Sequence, residues 1–214
     1  MKKVIRWNYE AVLAVFEQKD PKLAALVAKS EKITFYKRTD YFVTLCSSII
    51  SQQISVKAAD SINRKFIAGI GGELTPAVLL RFTPEQLREL GISNQKGGYL
   101  LDIAKNFHEN PEKYEHLDHL TNEEVISALV HIKGVGRWTA QMFLMFTLGR
   151  LDVFAPDDLG LKNAMIRLYN WKGEVDKKKM EKQAAKWSPY QTIAARYLWH
   201  SLNNSPQPKE TKKG

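Results

Sequence analysis

The stretch Leu129-Val130-His131-Ile132-Lys133-Gly134-Val135-Gly136-Arg137-Trp138-Thr139-Ala140 sets a Gly-x-Gly turn between two segments of helical periodicity. Upstream, Thr121-Asn122-Glu123-Glu124 has the form of a capping box, and Val125, Ala128 and Leu129 follow at helical spacing, so a helix runs into the turn. Downstream, the second helix starts within the turn and carries the apolar run from Met142 to Leu148. Glycine at 134 and 136 lets the backbone take positive φ and lets a ligand come close, while the first N–H groups of the new helix have no intrahelical acceptor. Lys133, Gly134, Val135, Gly136 and Arg137 therefore make an anion site suited to a nucleic-acid phosphate, and the turn's carbonyls also admit a monovalent metal ion. Taken alone, the same turn is equally a helix–helix connection that needs glycine for its geometry.

Outward from this hairpin the punctuation stays helical. Asp20-Pro21, Thr75-Pro76, Thr83-Pro84 and Ser188-Pro189 each read as a cap followed by proline at the first helical position. Periodic stretches at 9–17, 41–50, 56–67, 99–107, 161–169 and 193–202 cover most of the remainder. Only Lys32 to Tyr36 looks extended, and it is short, so the fold class is all-α. Residues 205–214 are polar and basic with two prolines, a composition expected to be disordered.

With 214 residues and 44% apolar content the chain can bury a full core without staples. Its 32 lysines and arginines against 23 acids give a net charge of +9, which points to a polyanionic partner, although Lys177 to Lys179 and the terminal lysines supply part of the excess as a solvated run would. Cys46 is the only cysteine and lies in an apolar stretch, which excludes a disulfide framework, a cysteine-based zinc site and an iron–sulfur cluster on four thiolates. No apolar run approaches the ~20 residues of a membrane span, and the first residues lack the apolar stretch of a signal peptide. A soluble protein in a reducing setting is expected, with no membrane partner and, in a prokaryote, a cytoplasmic location.

The second informative stretch is Phe154-Ala155-Pro156-Asp157-Asp158-Leu159-Gly160-Leu161-Lys162, where two adjacent acids open another helix. An aspartate there is ordinarily a cap for backbone N–H groups. The helix N-terminus and Lys162 also put positive potential beside a carboxylate, which suits one that stabilises a cationic sugar in a dissociative transition state or orients an attacking water. Physics alone does not choose between Asp157 and Asp158.

The order of hairpin, intervening helix and Pro156-Asp157-Asp158 resembles the helix–hairpin–helix DNA glycosylase superfamily, specifically its 3-methyladenine DNA glycosylase II branch. Two further segments, Ser48 to Ser55 and Trp187 to Trp199, fit that branch, so the similarity spans about residues 8 to 204. The resemblance implies that Asp158 is the catalytic carboxylate and Asp157 its structural neighbour. It implies that Gln53, on the loop Gln52-Gln53-Ile54, is the wedge that fills the space left when a nucleotide is flipped out of the duplex. It makes Trp138 a pocket residue, with Met142 and Tyr190 as further wall positions, where aromatic faces would attract a positively charged alkylated purine. As residues alone, Gln53 would be an ordinary loop glutamine, and Trp138 and Tyr190 ordinary packing.

Members that excise oxidised bases and cut the strand carry a Schiff-base lysine where this chain has Trp138, so the resemblance implies simple hydrolysis with no cofactor. The expected enzyme is a monofunctional, monomeric glycosylase acting in base excision repair on double-stranded DNA that contains 3-methyladenine or 7-methylguanine. Two alternatives remain open: a bifunctional glycosylase/lyase for oxidised bases, and a non-catalytic DNA-binding module that uses the hairpin as a phosphate clip. The resemblance also implies the compact form of the fold, a single unit over residues 1–204 with two helical subdomains, one from ~51 to ~150 and one from both chain ends, flanking a cleft with Asp158 at the junction.

Overall fold

The computed structural model describes residues 2–203; the segment 205–214, expected to be disordered, lies outside the described residues. In chain order the elements are β1 Lys2–Ile5, α1 Tyr9–Lys19, α2 Pro21–Ala28, β2 Phe35–Arg38, α3 Tyr41–Ser51, α4 Val56–Ile70, α5 Pro76–Leu79, α6 Pro84–Glu89, α7 Asn94–Glu109, α8 Pro111–Glu115, α9 Asn122–Val130, α10 Arg137–Phe146, α11 Leu159–Tyr169, α12 Lys177–Ala184 and α13 Gln191–Asn203. The fold is all-α apart from one two-stranded antiparallel ribbon, in which Lys3 pairs with Lys37 and Val4 with Tyr36.

Local chemistry explains most helix starts. Asp20, Thr75 and Thr83 each accept a backbone N–H from three residues ahead, with proline at the first helical position, and Thr83–Gln86 and Thr121–Glu124 close reciprocal capping boxes. Ser188 departs from that pattern. Its hydroxyl donates to Asp152 Oδ2 at 2.7 Å, the following peptide is cis, and α13 begins only at Gln191. Helix α7 starts at Asn94, five residues before its apolar period becomes visible at Tyr99. Ser93 caps it, and Gly97 and Gly98 weaken the sequence signal.

The extended segment read from the sequence, Lys32 to Tyr36, overlaps β2 only at Phe35 and Tyr36, and its partner β1 was not read as extended. Neither strand alternates polar and apolar residues. The ribbon is anchored instead by tertiary contacts: Arg38 N–H donates to Thr147 O at 2.7 Å, and Gly149, at φ +68°, has no room for a side chain against Ile5 and the Tyr36 carbonyl.

The chain forms two compact units. The first comprises β1 and residues Phe35–Gly149; the second comprises residues Arg6–Thr34 and the chain from Arg150 through α13. Residues 35–50 were expected with the chain ends but belong to the first unit, because α3 buries Phe42, Leu45, Cys46 and Ile49 in its core, with Phe42 against Phe107 and Tyr41 edge-on to Phe143. Burial pushes the Cys46 thiol far above the ordinary range, which leaves it an inert core residue.

In the second unit the organising group is a carboxylate. Asp20 ends α1, caps α2 through Leu23 N–H, and is only 4% exposed. Its Oδ2 accepts from Tyr169 Oη at 2.5 Å, Gln183 Nε2 at 2.6 Å and Trp187 Nε1 at 2.7 Å, which ties the α1–α2 corner to α11, α12 and the turn that follows α12. Burial, reinforced by this carboxylate, pushes the Tyr169 phenol above its usual range. Removing Asp20 would strand the buried Trp187 indole N–H and the half-buried Tyr169 and Gln183 donors, so Asp20→Ala is expected to lower unfolding free energy by about 3–5 kcal/mol. Urea titration followed by fluorescence of the buried Trp187 indole measures this; a loss below about 0.5 kcal/mol, as for a surface change, would contradict it.

Candidate active site

The hairpin lies in the first unit between α9 and α10. Its turn is closed by Ile132 N–H on Leu129 O and Val135 N–H on Ile132 O, and the Val135 side chain is buried at 3% exposure, so at this position the ligand-facing chemistry is backbone. The two glycines serve different ends. Gly134 sits at φ +83°, and a Cβ there would fall 2.3 Å from the Tyr99 ring. Gly136, also expected to need positive φ, has φ −85° and open space around it; as the N-cap of α10 it leaves the helix start as bare backbone.

Lys133 is exposed, and its backbone N–H donates to Asp102 Oδ2 at 2.8 Å. Arg137 is also exposed, but its guanidinium grips Glu123 in a two-pronged ion pair at 3.0 and 2.6 Å. The hydrogen bond from Arg137 holds the Glu123 carboxyl below the usual range. A phosphate contact by Arg137 thus exchanges one anion for another, a small cost for a surface pair. Of the hairpin carbonyls on which a monovalent cation is expected, Ile132 O and Gly134 O already accept hydrogen bonds, the latter from Gln52 Nε2 at 3.2 Å.

On the same unit, Gln53 is exposed on the α3–α4 loop and adopts φ +57°, one of two left-handed non-glycine residues among those described. Trp138 is 38% exposed in the first turn of α10, and Met142, half-buried, stands one turn further on the same face.

Asp158 and Tyr190 belong to the second unit. Asp158 is the N-cap of α11, and its Oδ1 accepts both Leu161 N–H at 2.7 Å and the Trp199 indole N–H at 2.8 Å. Gly160 leaves that geometry uncrowded: a Cβ would lie 3.0 Å from Asp158 Oδ1 and 3.1 Å from the Trp199 ring. Asp157 is turned outward and pairs with Lys177. A cavity of about 330 Å³ opens beside the two acids, walled by Pro156, Leu159, Val175 and Met180 with Lys162 and Lys177 at its edge. A larger cavity of about 800 Å³, between α2, α11 and the end of α13, touches none of the site residues and is not the candidate site. Tyr190 is half-buried in the turn before α13, where its N–H bonds Trp187 O. Among the described residues no group of three or more His, Cys, Asp or Glu side chains could hold a metal ion.

Several supporting residues have no signature in the sequence. Trp199 reads as one more helix-packing aromatic, and Gly160 as a glycine after a cap. Gln52, Lys96, Tyr99 and Asp102 acquire meaning only from what they touch across the fold.

An all-α chain with a glycine hairpin opening one helix and an aspartate capping the next fits the class of DNA-repair proteins that the sequence resembles. The chain belongs to the HhH-GPD superfamily of base excision DNA repair proteins, whose model matches residues 46–189. It is 36% identical over 186 residues to the DNA-3-methyladenine glycosylase of Saccharomyces cerevisiae, covering 78% of this chain and 62% of the yeast protein. It therefore spans rather less than two thirds of that relative's length. Among solved structures it is similar to a DNA-3-methyladenine glycosidase from Bacillus halodurans, with TM-score 0.80, 32% identity, and 95% of this chain and 93% of that one covered. It is also similar to the 3-methyladenine DNA glycosylase of Schizosaccharomyces pombe in complex with abasic DNA, with TM-score 0.79, 30% identity, and 94% and 99% covered.

The two hairpin glycines should separate in a stability experiment. Gly134→Ala forces a methyl into the Tyr99 ring at positive φ and is expected to cost about 2–4 kcal/mol, part of which Tyr99→Ala restores. Gly136→Ala is expected to cost less than about 1 kcal/mol. Equal shifts in the urea midpoint would contradict the assignment.

Proposed function

We propose that this chain is a monofunctional DNA glycosylase that hydrolyses the N-glycosidic bond of alkylated purines, of the 3-methyladenine and 7-methylguanine class, in double-stranded DNA. The observation that carries the reading is the arrangement at Asp158: a carboxylate on a helix N-terminus, one oxygen fixed by Leu161 N–H and the Trp199 indole, beside a cavity. The names carried by the similar proteins support the substrate class.

In this reading the hairpin backbone and Lys133 hold a phosphate and place the duplex. Gln53 fills the gap left by the extruded nucleotide, and the alkylated base, already cationic, stacks on Trp138 beside Met142. The C1′–N bond breaks with its electron pair leaving on the base. The Asp158 carboxylate stabilises the sugar cation that remains, and water adds its oxygen to C1′ and releases a proton, so that an abasic site and a free base result. Trp138 offers no amine for a Schiff base, which favours hydrolysis over strand cleavage. With a single cysteine the chain has no ligand set for a four-thiolate cluster, and the reaction calls on no cofactor. The protein is proposed to act as a monomer, and in a prokaryote in the cytoplasm, where its DNA substrate lies.

Asp158→Asn preserves an N-cap oxygen and should fold normally, so it isolates the charge. The wild-type protein is expected to release 3-methyladenine from methylated DNA, while the variant still binds duplex and releases base at least about a hundredfold more slowly. Turnover by the variant at the wild-type rate would overturn the catalytic assignment. Separately, Lys133→Ala should weaken binding across sequences and lower the slope of log K against log salt by about 1. An unchanged slope would remove Lys133 from the phosphate site.

A further inference from the structure

One face of α7 supports both DNA-facing loops of the first unit. Lys96, Tyr99 and Asp102 recur at three-residue steps along that face. Lys96 Nζ donates to Ile50 O at 2.6 Å and Gln52 O at 2.8 Å, where α3 ends and the Gln53 loop begins. The Tyr99 ring fills the space beside Gly134, and Asp102, steadied by Asn106 Nδ2 at 3.3 Å, accepts the Lys133 N–H at the hairpin.

A direct strap joins the two loops. Gln52 Nε2 donates to Gly134 O at 3.2 Å and to Thr139 Oγ1 at 3.3 Å, and Thr139 is 4% exposed. The next residue, Gln53, is exposed and held in the left-handed region, a conformation costing about 1 kcal/mol or more for a residue with a side chain. Such a conformation persists where its neighbours over-determine it, and here the neighbours are the Lys96 clamp and the Gln52 strap.

We infer that Gln52, backed by Lys96, is a positioning residue that locks the Gln53 loop to the phosphate-binding hairpin, so that docking of the hairpin on DNA fixes where Gln53 enters the base stack. The inference rests on the proposed role of Gln53 as the residue that fills the vacated space. Unstacking and unpairing a nucleotide cost a few kcal/mol, and a side chain pressed into the stack recoils unless its loop is braced. The brace is the hairpin itself, which the phosphate contact holds against the duplex.

Base release and extrusion test this on separate readouts. The probes are duplexes with 7-methylguanine opposite cytosine, the same lesion opposite an abasic site, and a 2-aminopurine neighbour whose fluorescence rises on extrusion. Gln52→Ala is expected to slow both extrusion and release about tenfold opposite cytosine. Opposite an abasic site, where extrusion is cheap, the effect should fall below about twofold. Affinity for undamaged duplex and its salt slope should stay within about twofold of wild type, and Gln52→Ala/Gln53→Ala should be no slower than Gln53→Ala alone. Equal slowing in both contexts, or additive effects in the double variant, would overturn the inference. If Gln52→Ala does not fold, Thr139→Val, which deletes one of the two acceptors, is held to the same pattern with a smaller effect. A wild-type protein that releases no base would refute the glycosylase reading, while the 2-aminopurine signal would still decide the coupling.

Discussion

The Tyr99 ring occupies the volume that any side chain at position 134 would need, and the hairpin exists in its observed form because glycine yields that volume. From this contact the neighbouring hydrogen bonds of the hairpin follow. The hairpin can settle onto α7, Asp102 can then reach the Lys133 amide, and Gln52 can cross from the α3–α4 loop to the Gly134 carbonyl. A close backbone approach is thus converted into a braced pair of loops, and the exposed start of α10 carries no capping side chain. Preorganisation of this kind suits a surface that contacts phosphate through main-chain amides, because amides fixed in place lose little further entropy on binding.

The second unit applies the same economy to a carboxylate. Asp158 caps α11 and receives the Trp199 indole on the same oxygen, so one atom serves helix stability and side-chain orientation together. Gly160 keeps the space clear for both bonds. The neighbouring Asp157, chemically identical, is turned to Lys177. Asp20 shows the contrasting use of an aspartate: buried, surrounded by donors and far in character from a reactive group, it joins the beginning of the chain to its end. Three aspartates at helix starts or their borders therefore take three different roles, and burial and partners distinguish them.

Helix starts were legible where the cap is followed by proline or closed by a capping-box glutamate. Asp20, Thr75, Thr83 and Thr121 illustrate this, and the hairpin between α9 and α10 was legible from its two glycines between periodic segments. Ser188 misled because its hydroxyl finds Asp152 instead of the next turn. Gly136 was assigned a conformation it does not adopt, since a helix N-cap is extended and needs no positive φ. Family resemblance places residues 35–50 with the chain ends, whereas the apolar face of α3 finds its partners in the first unit. The ribbon of β1 and β2 carried no alternation to read, as its stability comes from Thr147 and Gly149.

The sequence by itself determined the all-α class, the capped helices and the hairpin, and family resemblance supplied the expectation that favours Asp158 over Asp157. These rest on backbone conformation and on hydrogen bonds within a few residues, which residue identity dictates directly. Tertiary structure alone decided that Trp199, 41 residues away, meets Asp158, that Gln52 meets a carbonyl 82 residues away, and that Arg137 is engaged by Glu123. Such contacts depend on where packed apolar faces bring distant segments. No local propensity encodes them, because the free energy that selects them is shared across the whole core.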